Sequence, residues 1–226
     1  MKNIRIVYLM LLFVLCAAIG CTPMDEYKTI AGDSELSYPA RIEDAIVYSG
    51  KGRVVVKGLF KSDPKVVKCR IYWNLMENFM DIPVDMSGGS QSLDAEILLP
   101  EKSYSFDIFT YDAVGNRSVP VNVSGKSYGE KYRATIGNRL IDEFLMVDGV
   151  ATIEWFQIDM TAGPVSTEVT YMNTSNQEVT VSVPPVEQTT VLNGYKAGTT
   201  IKYFTRFKPD ERCLDVFDTE SDTRSM

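Results

Sequence analysis

Leu98-Leu-Pro100-Glu-Lys-Ser-Tyr104-Ser-Phe106-Asp-Ile108-Phe-Thr110-Tyr-Asp112-Ala-Val-Gly115-Asn-Arg-Ser118 is the stretch whose reading decides the fold. From Tyr104 onward Tyr104, Phe106, Ile108 and Thr110 fall at every second position, the period of a strand that turns one face to a core. LPEKS before it and DAVGN after it supply the Pro, Gly, Asn and Asp that turns need. Outward from this block the same grammar repeats. Arg53 to Phe60, Val66 to Trp73, Phe79 to Met86, Ser92 to Leu98 and Ser118 to Ser124 are β-branched and aromatic runs separated by turn signals such as SDP and SGGS. A second series follows in the same order: Ala151 to Ile158, Thr167 to Met172, Glu178 to Val183, Thr189 to Leu192, Thr200 to Phe207 and Leu214 to Asp218. Helical periodicity is scarce. The chain is therefore expected to be all-β, with two tandem sandwiches rather than one large domain.

The Leu98 to Ser118 block resembles the end of a fibronectin type III domain. The resemblance implies a tyrosine corner, in which Leu98, Pro100 and Tyr104 lock a turn into a strand because the phenol bonds back to the backbone. In the second half the aligned positions are Tyr195, Ala197 and Ile201, so the corner tyrosine is expected to be missing there. Trp155 stands where the second strand of such domains carries its core tryptophan, and Trp73 and Trp155 are both read as core. The fold class is thus two Ig-like or fibronectin type III-like β-sandwiches.

Residues 1–20 place Lys2 and Arg5 before an apolar run from Ile6 to Ile19, which is a secretory signal. That run is short of the roughly 20 residues a membrane-spanning helix needs. Ala18-Ile-Gly-Cys21 resembles a bacterial lipobox, which implies lipidation of Cys21 and a membrane partner reached through the acyl chains, without a spanning segment. Asp25-Glu26 close behind is similar to the export signal of surface lipoproteins in Bacteroides-type bacteria, so the expected location is the outer membrane, facing the exterior. More widely, residues 25–141 resemble a lipoprotein family of Bacteroides-type bacteria whose domain has no known function. The resemblance rests on MDEY after the anchor, Gly50-Lys-Gly-Arg53, Arg70-Ile-Tyr-Trp73-Asn74, the Tyr104 to Ser118 block and Gly125-Lys-Ser-Tyr128-Gly-Glu-Lys-Tyr132-Arg with Asn138-Arg139. It implies an association with surface glycan acquisition. The resulting organisation is a signal over 1–20, a lipidated tether over 21–38, a first sandwich over 39–126, a linker or hinge over 127–140, a second sandwich over 141–219 and a flexible tail over 220–226.

Composition closes several routes. The 226 residues are 45% hydrophobic and 23% charged but contain no histidine, which excludes Ser-His-Asp and Cys-His catalysis and the common histidine-bearing metal centres. The 23 basic residues stand against 30 acidic ones, so a nucleic-acid partner is not expected. Carboxylate catalysis remains, yet Asp107 with Asp112 and Asp85 with Asp94 read as strand and turn residues. Asp112 to Asn116 offers oxygen ligands for calcium, but its spacing is that of a turn. No enzyme, cofactor or metal is expected. Cys69 and Cys213 are expected to be free, buried thiols.

Two candidate sites follow from alternation and spacing. If Cys69, Ile71 and Trp73 point inward, then Arg70 and Tyr72 point outward. By the same rule Phe109 and Tyr111 point outward from the neighbouring strand, giving a solvent-side patch of Tyr72, Phe109 and Tyr111 on which a sugar ring could stack. Tyr128 to Ile136 is expected to make a turn or two of helix stopped by Gly137, a hinge carrying Tyr128, Tyr132 and Arg133. The other reading of that segment is a basic ligand patch of Lys131, Arg133 and Arg139. The function expected is a surface-exposed outer-membrane lipoprotein that serves as a non-catalytic binding or spacer module. Direct carbohydrate binding, or adhesion and protein assembly through an outer-membrane partner, are the alternatives.

Overall fold

Seven strands build the first sandwich: β1 (Glu43–Lys51), β2 (Arg53–Phe60), β3 (Lys68–Trp73), β4 (Asn78–Pro83), β5 (Gln91–Leu98), β6 (Lys102–Tyr111) and β7 (Val121–Tyr128). They are seen in a computed structural model that describes residues 38–61 and 63–226. The signal segment, Cys21 and nearly all of the tether lie outside the described residues. The hydrogen-bonded order is β4-β3-β6-β7-β1-β2-β5. Every pairing is antiparallel except β1 with β7, which run parallel where Gly50 meets Ser127 and Lys51 meets Tyr128. The path folds on itself, so that Val54, Val56, Leu93 and Ile97 from one half share a core with Ile71, Phe106 and Ile108 from the other. β5 alternates buried Leu93, Ala95 and Ile97 with outward Asp94, Glu96 and Leu98, as a half-buried strand must.

A four-residue helix α1 (Glu130–Arg133) leads to the second sandwich. Its strands are β8 (Ile141–Val147), β9 (Val150–Trp155), β10 (Pro164–Met172), β11 (Glu178–Val183), β12 (Thr189–Leu192), β13 (Ile201–Phe207), β14 (Phe217–Asp218) and β15 (Asp222–Arg224). One sheet runs β12-β9-β8. The other runs β11-β10-β13-β14, with β15 also on β13. The β8–β9 hairpin turns on Asp148-Gly149, both at positive φ (51° and 81°), the conformation that an Asp-Gly pair favours between two strands. Ala151, Ile153 and Trp155 pack against Val169, Tyr171, Ile201 and Tyr203. In both halves the first, second and fifth strands face the third, fourth and sixth, the arrangement of a fibronectin type III-like sandwich.

Three features differ from the sequence reading. β1 and β8 were not visible in it. The tail expected to be flexible over 220–226 holds β15, whose Asp222, Thr223 and Arg224 pair with Tyr203, Lys202 and Ile201. Finally, the corner is present in both sandwiches. Tyr104 donates its hydroxyl proton to the Pro100 carbonyl at 3.0 Å, four residues upstream. In the second sandwich Tyr195 donates to the Thr199 carbonyl, four residues downstream, and Tyr171 donates to the Asn193 carbonyl at 3.0 Å. A tyrosine standing at the position of Leu98 thus pins the same corner from the opposite side.

Candidate functional site

The outward face of β4, β3 and β6 carries the aromatic patch. Register sets Phe79 opposite Tyr72, Asp81 opposite Arg70, and Arg70 opposite Phe109, with Lys68 opposite Tyr111. The structure brings Tyr72, Phe109 and Tyr111 together: Tyr72 meets Phe109 edge-on at 5.9 Å, and the Tyr72 and Tyr111 hydroxyls are 3.5 Å apart. It does not leave them open, however. Phe109 is only 4% exposed, in contrast to its expected place in solvent, because the chain after the DAVGN turn returns Arg117 across its ring at 5.0 Å. Arg70 lies 4.0 Å from the centre of the Phe79 ring and grips Asp81 with two bonds of 2.5 and 2.6 Å. Lys68 sits 4.6 Å from the centre of the Tyr111 ring. The Arg70 bonds hold the Asp81 carboxyl below its ordinary range, while hydrogen bonds from Tyr111 and Arg70 favour ionisation of Tyr72. The π-faces a sugar would stack on are therefore already occupied by cations of the same sheet.

The hinge candidates form a packed junction. Tyr128 and Tyr132 meet edge-on at 5.1 Å, and Phe217 from β14 closes the triangle at 6.2 and 5.0 Å. Cys213 completes the cluster, with Ile136 packed against it. Burial pushes the Tyr128 phenol well up from its ordinary range, helped by its bond with Asp210. Glu101 accepts from the backbone amides of Lys131 and Tyr132, both at 2.7 Å, which fixes the start of α1 against the first sandwich. Gly129 leaves room beside it, since a Cβ there would lie 2.9 Å from the Glu101 carboxylate and displace it. Arg133 donates to the Asp218 carbonyl at 3.1 Å and to Glu220 at 2.9 Å. Arg139 is 2% exposed, bonded to the Phe156 carbonyl at 3.0 Å and lying beside Trp155. A shared basic patch of Lys131, Arg133 and Arg139 is thereby ruled out: burial takes one cation and the tail takes another.

Sequence reasoning missed the element that ties the halves together, the strap over residues 208–216 between β13 and β14. Leu214 donates its amide to the Ser49 carbonyl at 2.8 Å, and Ser49 and Cys213 form a parallel bridge. Asp215 accepts from the Lys51 amide at 2.8 Å and from Arg53 at 3.0 Å. Local pattern reads only a further strand over Leu214 to Asp218, with Asp215 directly after the Cys213-Leu214 pair, and nothing in it points to the first sandwich.

The remaining sequence candidates have local partners. Asp112 accepts from the amides of Val114, Gly115 and Asn116 at 2.8–3.0 Å and from the Asn116 side chain, so its oxygens hold the turn. Asp107 is bonded by Asn122, Asp94 by Lys57, and Asp85 by the Ser87 amide. Cys69 and Cys213 are free and buried. Trp155 is buried and donates to Thr190 at 3.0 Å, while Trp73 is half-buried at the edge of the first core. Among the described residues no group of three or more Cys, Asp or Glu side chains is arranged to hold a metal, and no helix is long and apolar enough to cross a membrane.

A family model described as a domain of unknown function, DUF4998, matches residues 21–217. The chain belongs to the DUF4998 family. No curated protein matches it. Among solved structures it is similar to a two-domain fibronectin type III segment of chicken tenascin, at 16% identity and a TM-score of 0.33, covering 82% of this chain and 98% of that one. It is also similar to the FN1–FN3 domains of chicken CNTN1, at 8% identity and a TM-score of 0.40, covering 83% and 66%. DUF4998 membership brings no activity with it, so the functional reading rests on the site itself.

Proposed function

We propose that this DUF4998 chain is a non-catalytic surface module: a lipoprotein held in the outer membrane through Cys21, facing the exterior, that presents two sandwiches as one stiff body in the service of glycan acquisition. The observation that carries the module reading is the junction. An aromatic cluster of Tyr128, Tyr132 and Phe217, with the Arg53–Asp215 pair beside it, spends buried surface on fixing one sandwich against the other. A spacer or presenting element needs that stiffness, and a flexible tether between independent domains does not. The absence of histidine and the local commitment of Asp107, Asp112, Asp85 and Asp94 support a non-catalytic role. Direct stacking of sugars on Tyr72, Phe109 and Tyr111 is the weaker reading, because Phe109 is buried and Arg70, Lys68 and Arg117 lie over the rings.

The test is made on intact cells of a host that processes such lipoproteins. Radiolabelled palmitate is expected in the wild-type chain and not in Cys21→Ser, and external protease is expected to degrade the protein without lysis. Label in Cys21→Ser, or full protection until lysis, overturns the anchored surface reading.

A further inference from the structure

Beneath the strap a groove of about 550 Å³ opens between the sandwiches, within the range of about 300–1,000 Å³ typical of small-molecule sites. Its walls come from β1, β6 and β7 on one side and from Asp210, Glu211 and Arg212 of the strap on the other. The side chains that line it are mostly short. Ser103, Ser105 and Ser124 leave the space open, and Gly125 lets Val47 close the floor, since a Cβ there would lie 2.2 Å from the Val47 Cγ1.

One of these side chains differs from the other buried serines of the first sandwich. Ser127 is buried and donates to the Leu99 carbonyl at 2.8 Å; Ser118 is buried, donates to the Val119 carbonyl and accepts from the Thr110 amide. Ser49 is just as buried, at 5% exposure, lines the groove, and its hydroxyl has no hydrogen-bond partner among the described residues. Its Oγ is not one of the sealed, unpartnered polar atoms of the molecule, so it opens onto the groove, where water or a ligand hydroxyl can pair with it. Lys126 and Arg212, at the rim, have no ion-pair partner among the described residues, and Glu211 likewise has none. The groove thus offers hydroxyls that both donate and accept, two cations that donate, and a carboxylate that accepts, with formal charges that cancel over Lys126, Arg212, Asp210 and Glu211.

We propose that this groove binds a neutral, polyhydroxylated ligand, a saccharide, with Ser49 at its floor. Mixed donors and acceptors of no net charge suit vicinal hydroxyls, whereas an anion would meet Asp210 and Glu211. The ligand would touch β1, β7 and the strap together, so occupancy ties the two sandwiches more tightly. This goes beyond the stacking patch, which is on a different face, and it rests on the reading of the chain as a non-catalytic module.

The full chain in a zwitterionic detergent is titrated with cellohexaose, xylohexaose and mannohexaose, with oligogalacturonate as the acidic control, and followed by saturation-transfer NMR and thermal denaturation. At least one neutral hexaose is expected to give saturable transfer and a raised Tm. Ser105→Trp, an exposed strand position that fills the groove, is expected to weaken binding at least tenfold while circular dichroism and the unliganded Tm stay as in the wild type. Ser49→Ala, which needs no extra space, is expected to weaken it in the same direction, and Phe79→Ala on the other face to leave it unchanged. Binding by oligogalacturonate alone, no saturation by any neutral hexaose, or unaltered binding in both Ser105→Trp and Ser49→Ala overturns the proposal. Release of reducing ends from a bound hexaose would overturn the non-catalytic reading while leaving the groove in place.

Discussion

Asp215 of the second sandwich binds Arg53 of the first at 3.0 Å, and its second oxygen takes the Lys51 amide at 2.8 Å. Gly50 makes the approach possible, because a Cβ there would lie 2.9 Å from that oxygen. The carboxylate therefore does two things: it pairs with a side chain and it caps a backbone amide of β1. The bond to Asp215 is the main reason the Arg53 guanidinium is held above its ordinary range. Asp215→Ala removes both roles, whereas Arg53→Ala removes one. Hydrogen exchange at the Lys51 and Leu214 amides is expected to quicken clearly in Asp215→Ala and less in Arg53→Ala, with little change of Tm in either, since the pair is part-exposed. Equal exchange in both variants and the wild type would show that the strap is held by packing and the Leu214–Ser49 bond without help from the carboxylate.

Tyr104→Phe isolates the corner bond. The ring stays in its buried place and only the hydroxyl donated to Pro100 is lost. A single neutral bond of this kind contributes about 1 kcal/mol, so urea denaturation is expected to show a loss of that size with an unchanged m-value. A loss below a few tenths of a kcal/mol would mean that the turn is fixed by Leu99 and Pro100 without the phenol.

How far the sequence carries can be read from particular residues. β6 was legible because its inward residues alternate without interruption and turn residues bound it. β1 was not, because its register shifts between Glu43 and Ile46 and Asp44 sits at φ 51°, so no single alternation runs through it. β8 fails in the same way, with a shift between Ile141 and Glu143. Alternation also assigned Phe109 to the outer face, which is correct for the strand, but it has no means of knowing that Arg117 would return over the ring. The strap is the extreme case. Its role depends on contacts between residues about 160 positions apart, which no local pattern encodes.

The buried thiol of Cys69 makes a separate prediction. Burial pushes it up to about 12 from a reference of 9.0, since the thiolate would lie in the first core without a cation. A group raised on folding stabilises the protein fully below its unfolded pKa and loses that contribution as pH climbs through the folded one. Stability is therefore expected to fall between pH 9 and about 12, and iodoacetamide at pH 9 is expected to label Cys69 only at the rate of unfolding. Rapid alkylation in the native protein would place the thiol in contact with solvent.

Phe217→Ala tests whether the two sandwiches unfold together. Phe217 is 2% exposed and touches Tyr128 from β7 and Tyr132 from α1, so it belongs to β14 by chain and to the junction by packing. Truncating a buried phenylalanine costs about 3–5 kcal/mol where the site cannot collapse, and here the cavity opens in the cluster shared by both halves. Each sandwich keeps its own core, since neither of the two main clusters contains Phe217. The loss is therefore expected to fall on coupling rather than on either core. Calorimetry should show one transition in the wild type and two in Phe217→Ala, the lower one shifted down and the upper one close to its original temperature. A single transition moved down as a whole would mean that the second sandwich cannot stand without the junction, and it would transfer the role assigned to the cluster from coupling to folding.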